Sequence, residues 1–148
     1  WVKNFLDKHP PTRIFGTKYP EEAHRHNLAE YYFYLKDYEK AEETLVYRLF
    51  EATPLSLAAD LLLIKIYYET QNELLESRMK AMDQKIRRAK IAPTTRNQYL
   101  NFLSKLNKII KYAWKPDKKR REKLLEEITI EPEIISREWL LEQLGKLK

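Results

Sequence analysis

Lys105, Lys108, Lys111 and Lys115 recur every three or four residues, and Lys118, Lys119, Arg120 and Arg121 follow after a Pro-Asp break. On a helix the first four fall within about 120° of arc. Ammonium and guanidinium groups gathered in this way bind phosphates and carboxylates through charge and hydrogen bonds. The ordinary alternative is a solvated face, where lysine is the least costly residue. Solvated faces normally mix signs, however, and no acid occurs between Arg96 and Lys115. Lys118 to Arg121 open a helix, where four cations oppose the dipole, and an anion such as phosphate or an acidic peptide would relieve them. Arg87, Arg88 and Lys90 sit near a helix C-terminus, where the dipole alone favours them. No aromatic platform or glycine-rich loop is expected beside the cations, so nucleic-acid readout is not specified. The chemistry implied is capture of nucleic acid or another polyanion.

Other reactive types are sparse. His24 and His26 are two apart and point about 160° away from one another on a helix, so one metal ion cannot take both. Glu22 and His26 share a side, but nothing nearby completes the four ligands of a structural zinc site. Solvated or capping histidines are the simpler reading. The chain has no glycine-rich phosphate loop, no Gly-x-Ser-x-Gly and no His-Glu-x-x-His, and these are the usual marks of phosphoryl, acyl and metal-dependent hydrolytic chemistry. Glu42-Glu43 and Glu126-Glu127 lie on charge-rich helices, where acid–base catalysis needs a pocket that the sequence does not announce. No enzyme, cofactor or metal site is expected.

The elements that position these residues are helical. Two glycines and no cysteine in 148 residues exclude a turn-rich β fold, a disulfide framework and thiolate chemistry. An apolar content of 43% suffices for one continuous core over residues 21–148. No run is apolar enough to span a membrane. Net charge is +6 but uneven: residues 78–123 hold 16 Lys or Arg against three acids, and the remainder 12 against 19. The chain opens at Trp1 without a signal peptide, which reads as a fragment of a longer, cytoplasmic protein.

Residues 1–9 read as the end of a helix stopped by Pro10-Pro11. A linker follows, with Ile14, Phe15 and Tyr19 tucked against the body. Helices are expected over about 20–35, 38–52 and 53–71, the third opened by Thr53-Pro54 and apolar almost all round. The fourth carries Leu75, Met79, Met82 and Ile86 inward. Pro93 starts a long helix with Tyr99, Phe102, Leu103, Leu106, Ile109, Ile110, Ala113 and Trp114 in an arc of about 140°. The last two are expected over about 118–130 and from Pro132 to Gly145, the latter with Ile135, Trp139, Leu140 and Leu144 inside.

Leu28, Ala29, Tyr32, Tyr38 and Ala41 resemble the leucine, small, tyrosine, aromatic and small positions of the 34-residue tetratricopeptide repeat. Arg25 stands where that family often has tryptophan, Leu45 replaces phenylalanine, and Pro54 comes one place late. A shift of 36 residues gives a weaker copy with Ile64, Tyr68, Leu74, Ser77 and Ala81, and with Lys65 at the first small site. The two copies cover about 22–91. The resemblance implies an all-α, right-handed stack of antiparallel hairpins, an α-solenoid with a divergent C-terminal helical cap. It also implies a concave groove for a protein or peptide, formed by His26, Glu30 and Phe33 and continued by Leu62, Ile66 and Glu69. A non-catalytic interaction module or scaffold is therefore the leading expectation. Polyanion binding through residues 78–123 is its rival, and self-association is a third course.

Overall fold

Almost every break written by proline or a polar turn becomes a helix end. The computed structural model describes residues 20–46 and 53–147. Seven helices occur there and no strand: α1 Pro20–Tyr34, α2 Tyr38–Val46, α3 Thr53–Glu69, α4 Leu75–Arg88, α5 Pro93–Trp114, α6 Lys118–Ile130 and α7 Arg137–Lys146. The all-helical expectation holds over the described residues. The helix end and linker of 1–19, and the expected end of the second helix at 47–52, lie outside them. The chain divides into two compact units, the division falling within α4 between Met82 and Asp83.

In the N-terminal unit α1 pairs with α2, and α3 packs against both. Their shared core is Ala29, Ala41, Leu45, Ala59, Leu62, Leu63, Ile66 and Tyr67, with Tyr32, Phe33, Tyr38 and Leu75 around it. Ala29 and Ala41 are fully buried, and their small side chains allow the α1 and α2 backbones to approach. Two hydrogen bonds tie α2 to α3 in opposite senses. Tyr38 donates to Glu69 at 3.2 Å and Tyr67 donates to Glu42 at 3.1 Å. Arg25 reaches the Thr44 carbonyl at 3.4 Å.

α1 and α3 end in the same way. The Asp37 amide bonds to the Tyr32 carbonyl and the Lys36 amide to that of Phe33; Asn72 and Gln71 do the same to Tyr67 and Tyr68. This paired closure needs a left-handed residue after the helix, and Lys36 (φ 63°) and Gln71 (φ 55°) supply it. The two turns are 35 residues apart, whereas the helices that follow them start 37 apart, at Tyr38 and Leu75. A single shift of 36 averages the two. Tyr67, not Tyr68, is therefore the buried counterpart of Tyr32, and Ser77 and Ala81, expected inside, are exposed. Leu75 and Met82 take the inner places that match Tyr38 and Leu45. The small positions do not recur, since Ile64 and Arg78 match Ala29 and Ala41.

In the C-terminal unit α5, α6 and α7 pack against one another. Phe102, Leu106, Ile109, Ile128, Leu140 and Leu144 are fully buried, and the Trp139 ring lies 5.8 Å from Phe102. Pro132 does not open the last helix. Residues 131–136 form a loop, because Glu131, restricted to extended backbone by the proline after it, caps α6 at φ −63°, ψ 114°. Asn101 donates to the Glu133 carbonyl at 2.8 Å, Asn97 to the Glu133 carboxylate at 2.8 Å, and the Ile135 amide to Gln98 at 3.3 Å. Arg137 then closes the end of α6 through the Ile128 and Glu131 carbonyls.

Ala41→Leu should overpack the α1–α2 seam and cost about 1–3 kcal/mol. Ala81→Leu, on the exposed side of α4, should stay within about 0.5 kcal/mol. Denaturant titration of both variants checks the contrast, and equal losses would show that the seam is not where packing is tight.

Candidate anion-binding site

α6 returns across the lysine side of α5. The spacing Arg120, Lys123, Leu124, Glu127 places four side chains on one stripe of α6. Opposite them α5 presents Lys108, Lys111 and Tyr112, and the seven line a hollow of about 240 Å3. Tyr112 and Leu124 are buried at its floor. The lysine face is therefore not simply solvated, because a helix folds back over part of it.

Charge in the hollow is unbalanced. Four of the seven lining residues are cationic and one is acidic. Glu127 meets Lys108 at 3.0 Å and Lys105 at 3.6 Å. The hydrogen bond from Lys108 is the main cause that holds the Glu127 carboxyl below its ordinary 4.5, against the opposing effect of partial burial. At neutral pH it is ionised and engages those two lysines. Glu127 also attracts Lys123 more weakly, whereas Lys111 and Arg120 have no ion pair among the described residues.

Of the eight cations singled out in the sequence, Lys108, Lys111 and Arg120 line the hollow, and Lys105 borders it through Glu127. Lys115, Lys118 and Lys119 are exposed beyond it. Arg121 lies on another side of α6, half-buried, its Nε without a hydrogen-bond partner. The helix start that Lys118 to Arg121 crowd receives one anion from the chain itself, since the Asp117 carboxylate accepts the Lys119 amide at 3.1 Å. Sequence reasoning missed Lys123, Tyr112, Leu124 and Glu127. The spacing of three and four residues along α6 was the available signal.

Trp114 corrects a second expectation. Assigned to the inward stripe, it is 86% exposed, and Ala113 beside it is exposed too, while Tyr112 is buried in their stead. Packing against α6 selects the Tyr112 side of the last turn of α5 and leaves its Ala113 and Trp114 side uncovered. An aromatic surface therefore does accompany the cations.

The proposed groove row lies in the N-terminal unit and is largely interior. Leu62 and Ile66 are 4% and 0% exposed and belong to the core with Ala29 and Ala41. Phe33 packs against that core, its ring 5.7 Å from that of Tyr38. Glu69 accepts from Tyr38, and only Glu30 is exposed. His26 is 3% exposed, with Nε2 3.9 Å from Glu30. Burial lowers its pKa, opposed by Glu30 and by a hydrogen bond with the Ala58 backbone, while Lys65 lowers it further. Lys65 is itself lowered by burial, against the pull of Glu30 and Glu69. These residues form a polar seam between α1 and α3 rather than open apolar anchors.

No group of three or more His, Asp or Glu among the described residues is placed to hold a metal ion. No helix there is long and apolar enough to cross a membrane. No family model, curated protein or solved structure matches the chain.

Because the folded pKa of His26 lies below its ordinary 6.5, the unfolded chain binds this proton more readily. The neutral imidazole's contribution is therefore whole above about pH 6.5 and shrinks as pH falls toward the folded value. Denaturant midpoints between about pH 7 and pH 5 should decline for the native chain and decline less for His26→Gln. Parallel declines would remove His26 as the cause.

Proposed function

We propose that the chain is a non-catalytic helical binding module whose C-terminal unit takes up a polyanion, nucleic acid or a chain of similar charge, on the surface built by α5 and α6. The observation that carries this reading is the convergence of Lys108, Lys111, Arg120 and Lys123 on one hollow with a single acid. Four cations around one acid leave a surplus of positive charge that an outside anion can neutralise. The hollow is smaller than the about 300–1,000 Å3 of ordinary small-molecule pockets, which suits one anionic group of a longer ligand better than a whole cofactor. Its only carboxylate is held ionised by Lys108, a state that tunes charge and does not suit general acid work.

A second reading, a protein or peptide interaction scaffold, draws support from the N-terminal unit. The repeated turn at Lys36 and Gln71 and the buried Ala29 and Ala41 suit a tetratricopeptide-like hairpin pair, arranged as a right-handed solenoid segment. The burial of Leu62 and Ile66 leaves this reading without its apolar anchors, so it ranks below polyanion binding.

Fluorescence anisotropy with a labelled mixed-sequence nucleic acid tests the first reading. Log affinity should fall linearly with log salt between about 50 and 200 mM. Joint replacement of Lys111, Arg120 and Lys123 by glutamate should weaken binding by about tenfold or more and flatten that slope. Glu127→Gln, by releasing Lys105 and Lys108, should strengthen it. Failure of the native chain to bind at about 50 mM salt would end the polyanion reading.

A further inference from the structure

Resting on that reading, we infer that the polyanion is single-stranded nucleic acid, with Trp114 as the platform on which an unpaired base stacks while Lys111, Arg120 and Lys123 hold the neighbouring phosphates.

Three observations converge on this assignment. Trp114 is the most exposed large apolar side chain among the described residues, at 86%. An indole so placed leaves apolar surface in water that contact with a flat apolar face would remove. Its position is the second observation. Lys111 lies three residues before it on the same helix and Lys115 follows it directly. Residues three apart on a helix have Cβ atoms about 5–6 Å apart, so the indole and the Lys111 ammonium share one patch, and Lys111 also lines the hollow. The third is the apolar floor of that hollow. Tyr112 and Leu124 are buried there, so the cations rest on packed side chains and are held near one another.

The combination selects among anions. A base-free polyphosphate would engage the cations and leave the indole in water. A duplex hides its base faces in the stack, so an isolated aromatic surface finds nothing to cover. An acidic peptide offers carboxylates and no obligatory flat face. A single strand offers both charges and exposed rings, and a basic surface with a stacking aromatic is the general arrangement that binds it with little sequence preference.

The test uses the whole chain and four probes: a labelled single-stranded oligonucleotide, a duplex of the same length, inorganic polyphosphate and a poly-glutamate peptide. The single strand should bind more tightly than each of the other three. Trp114→Ala should weaken single-strand binding by about 5- to 150-fold, the loss expected for one stacked base, and leave polyphosphate binding and the helical circular dichroism unchanged. Trp114→Phe should restore part of the loss. If Trp114→Ala leaves single-strand affinity intact, or the duplex, the polyphosphate or the peptide binds as tightly as the single strand, stacking is refuted. Whether the polyanion reading survives is then read from the native chain's binding to nucleic acid or polyphosphate. Absence of binding to every probe would refute both.

Discussion

Folding α6 back onto α5 buries Tyr112 and Leu124, and the site depends on that burial prevailing over the repulsion it creates. Removing two large side chains from water contributes about 1.5–3 kcal/mol each. Two unit charges near 4 Å in water repel by only about 1 kcal/mol. At larger separations salt reduces this further, with a screening length of about 8 Å under physiological conditions. Apolar contact therefore wins, and the cations accept one another's company. Glu127 relieves part of the strain through Lys105 and Lys108, but Lys111, Arg120 and Lys123 receive less. The unfinished balance leaves surplus positive charge in the hollow, and the proposed anion binding rests on that surplus.

Elsewhere in the C-terminal unit two arginines complete structure. Arg137 closes α6 through the Ile128 and Glu131 carbonyls, and Arg96 reaches the Ile86 and Ala89 carbonyls at 3.4 and 2.7 Å. Both guanidinium groups meet backbone acceptors that a helix end would otherwise leave to solvent. A basic composition therefore has two uses here. Some cations are absorbed by helix ends, and those around the hollow are not.

The N-terminal unit ends two helices alike and packs the helices that follow them differently. Lys36 and Gln71 end their helices with the same hydrogen bonds, because that closure depends on backbone and tolerates many side chains. Close helix approach is stricter, since it needs small residues on both partners. Ala29 and Ala41 meet the requirement; Ile64 and Arg78 do not. Two added residues in the second turn also rotate the following helix, so Ser77 and Ala81 emerge where a uniform shift would have placed them inside. Lys65 tolerates partial burial in this unit because Glu30 and Glu69 supply opposite charge, and burial of His26 favours its neutral form.

Helical class and nearly every helix start were legible along the chain, because proline, caps and the spacing of apolar residues act over a few residues at a time. The cationic stretch was legible for the same reason, since residues 105, 108, 111 and 115 share a face whatever else the chain does. The tertiary structure alone decided which cations converge, that Tyr112 is buried and Trp114 exposed, that Leu62 and Ile66 are interior, and that Pro132 precedes a loop. Those outcomes depend on which helix covers which side of its neighbour. Helical periodicity gives the faces of each helix but not their partners, and the partner determines whether an aromatic at the edge of a stripe becomes core or surface.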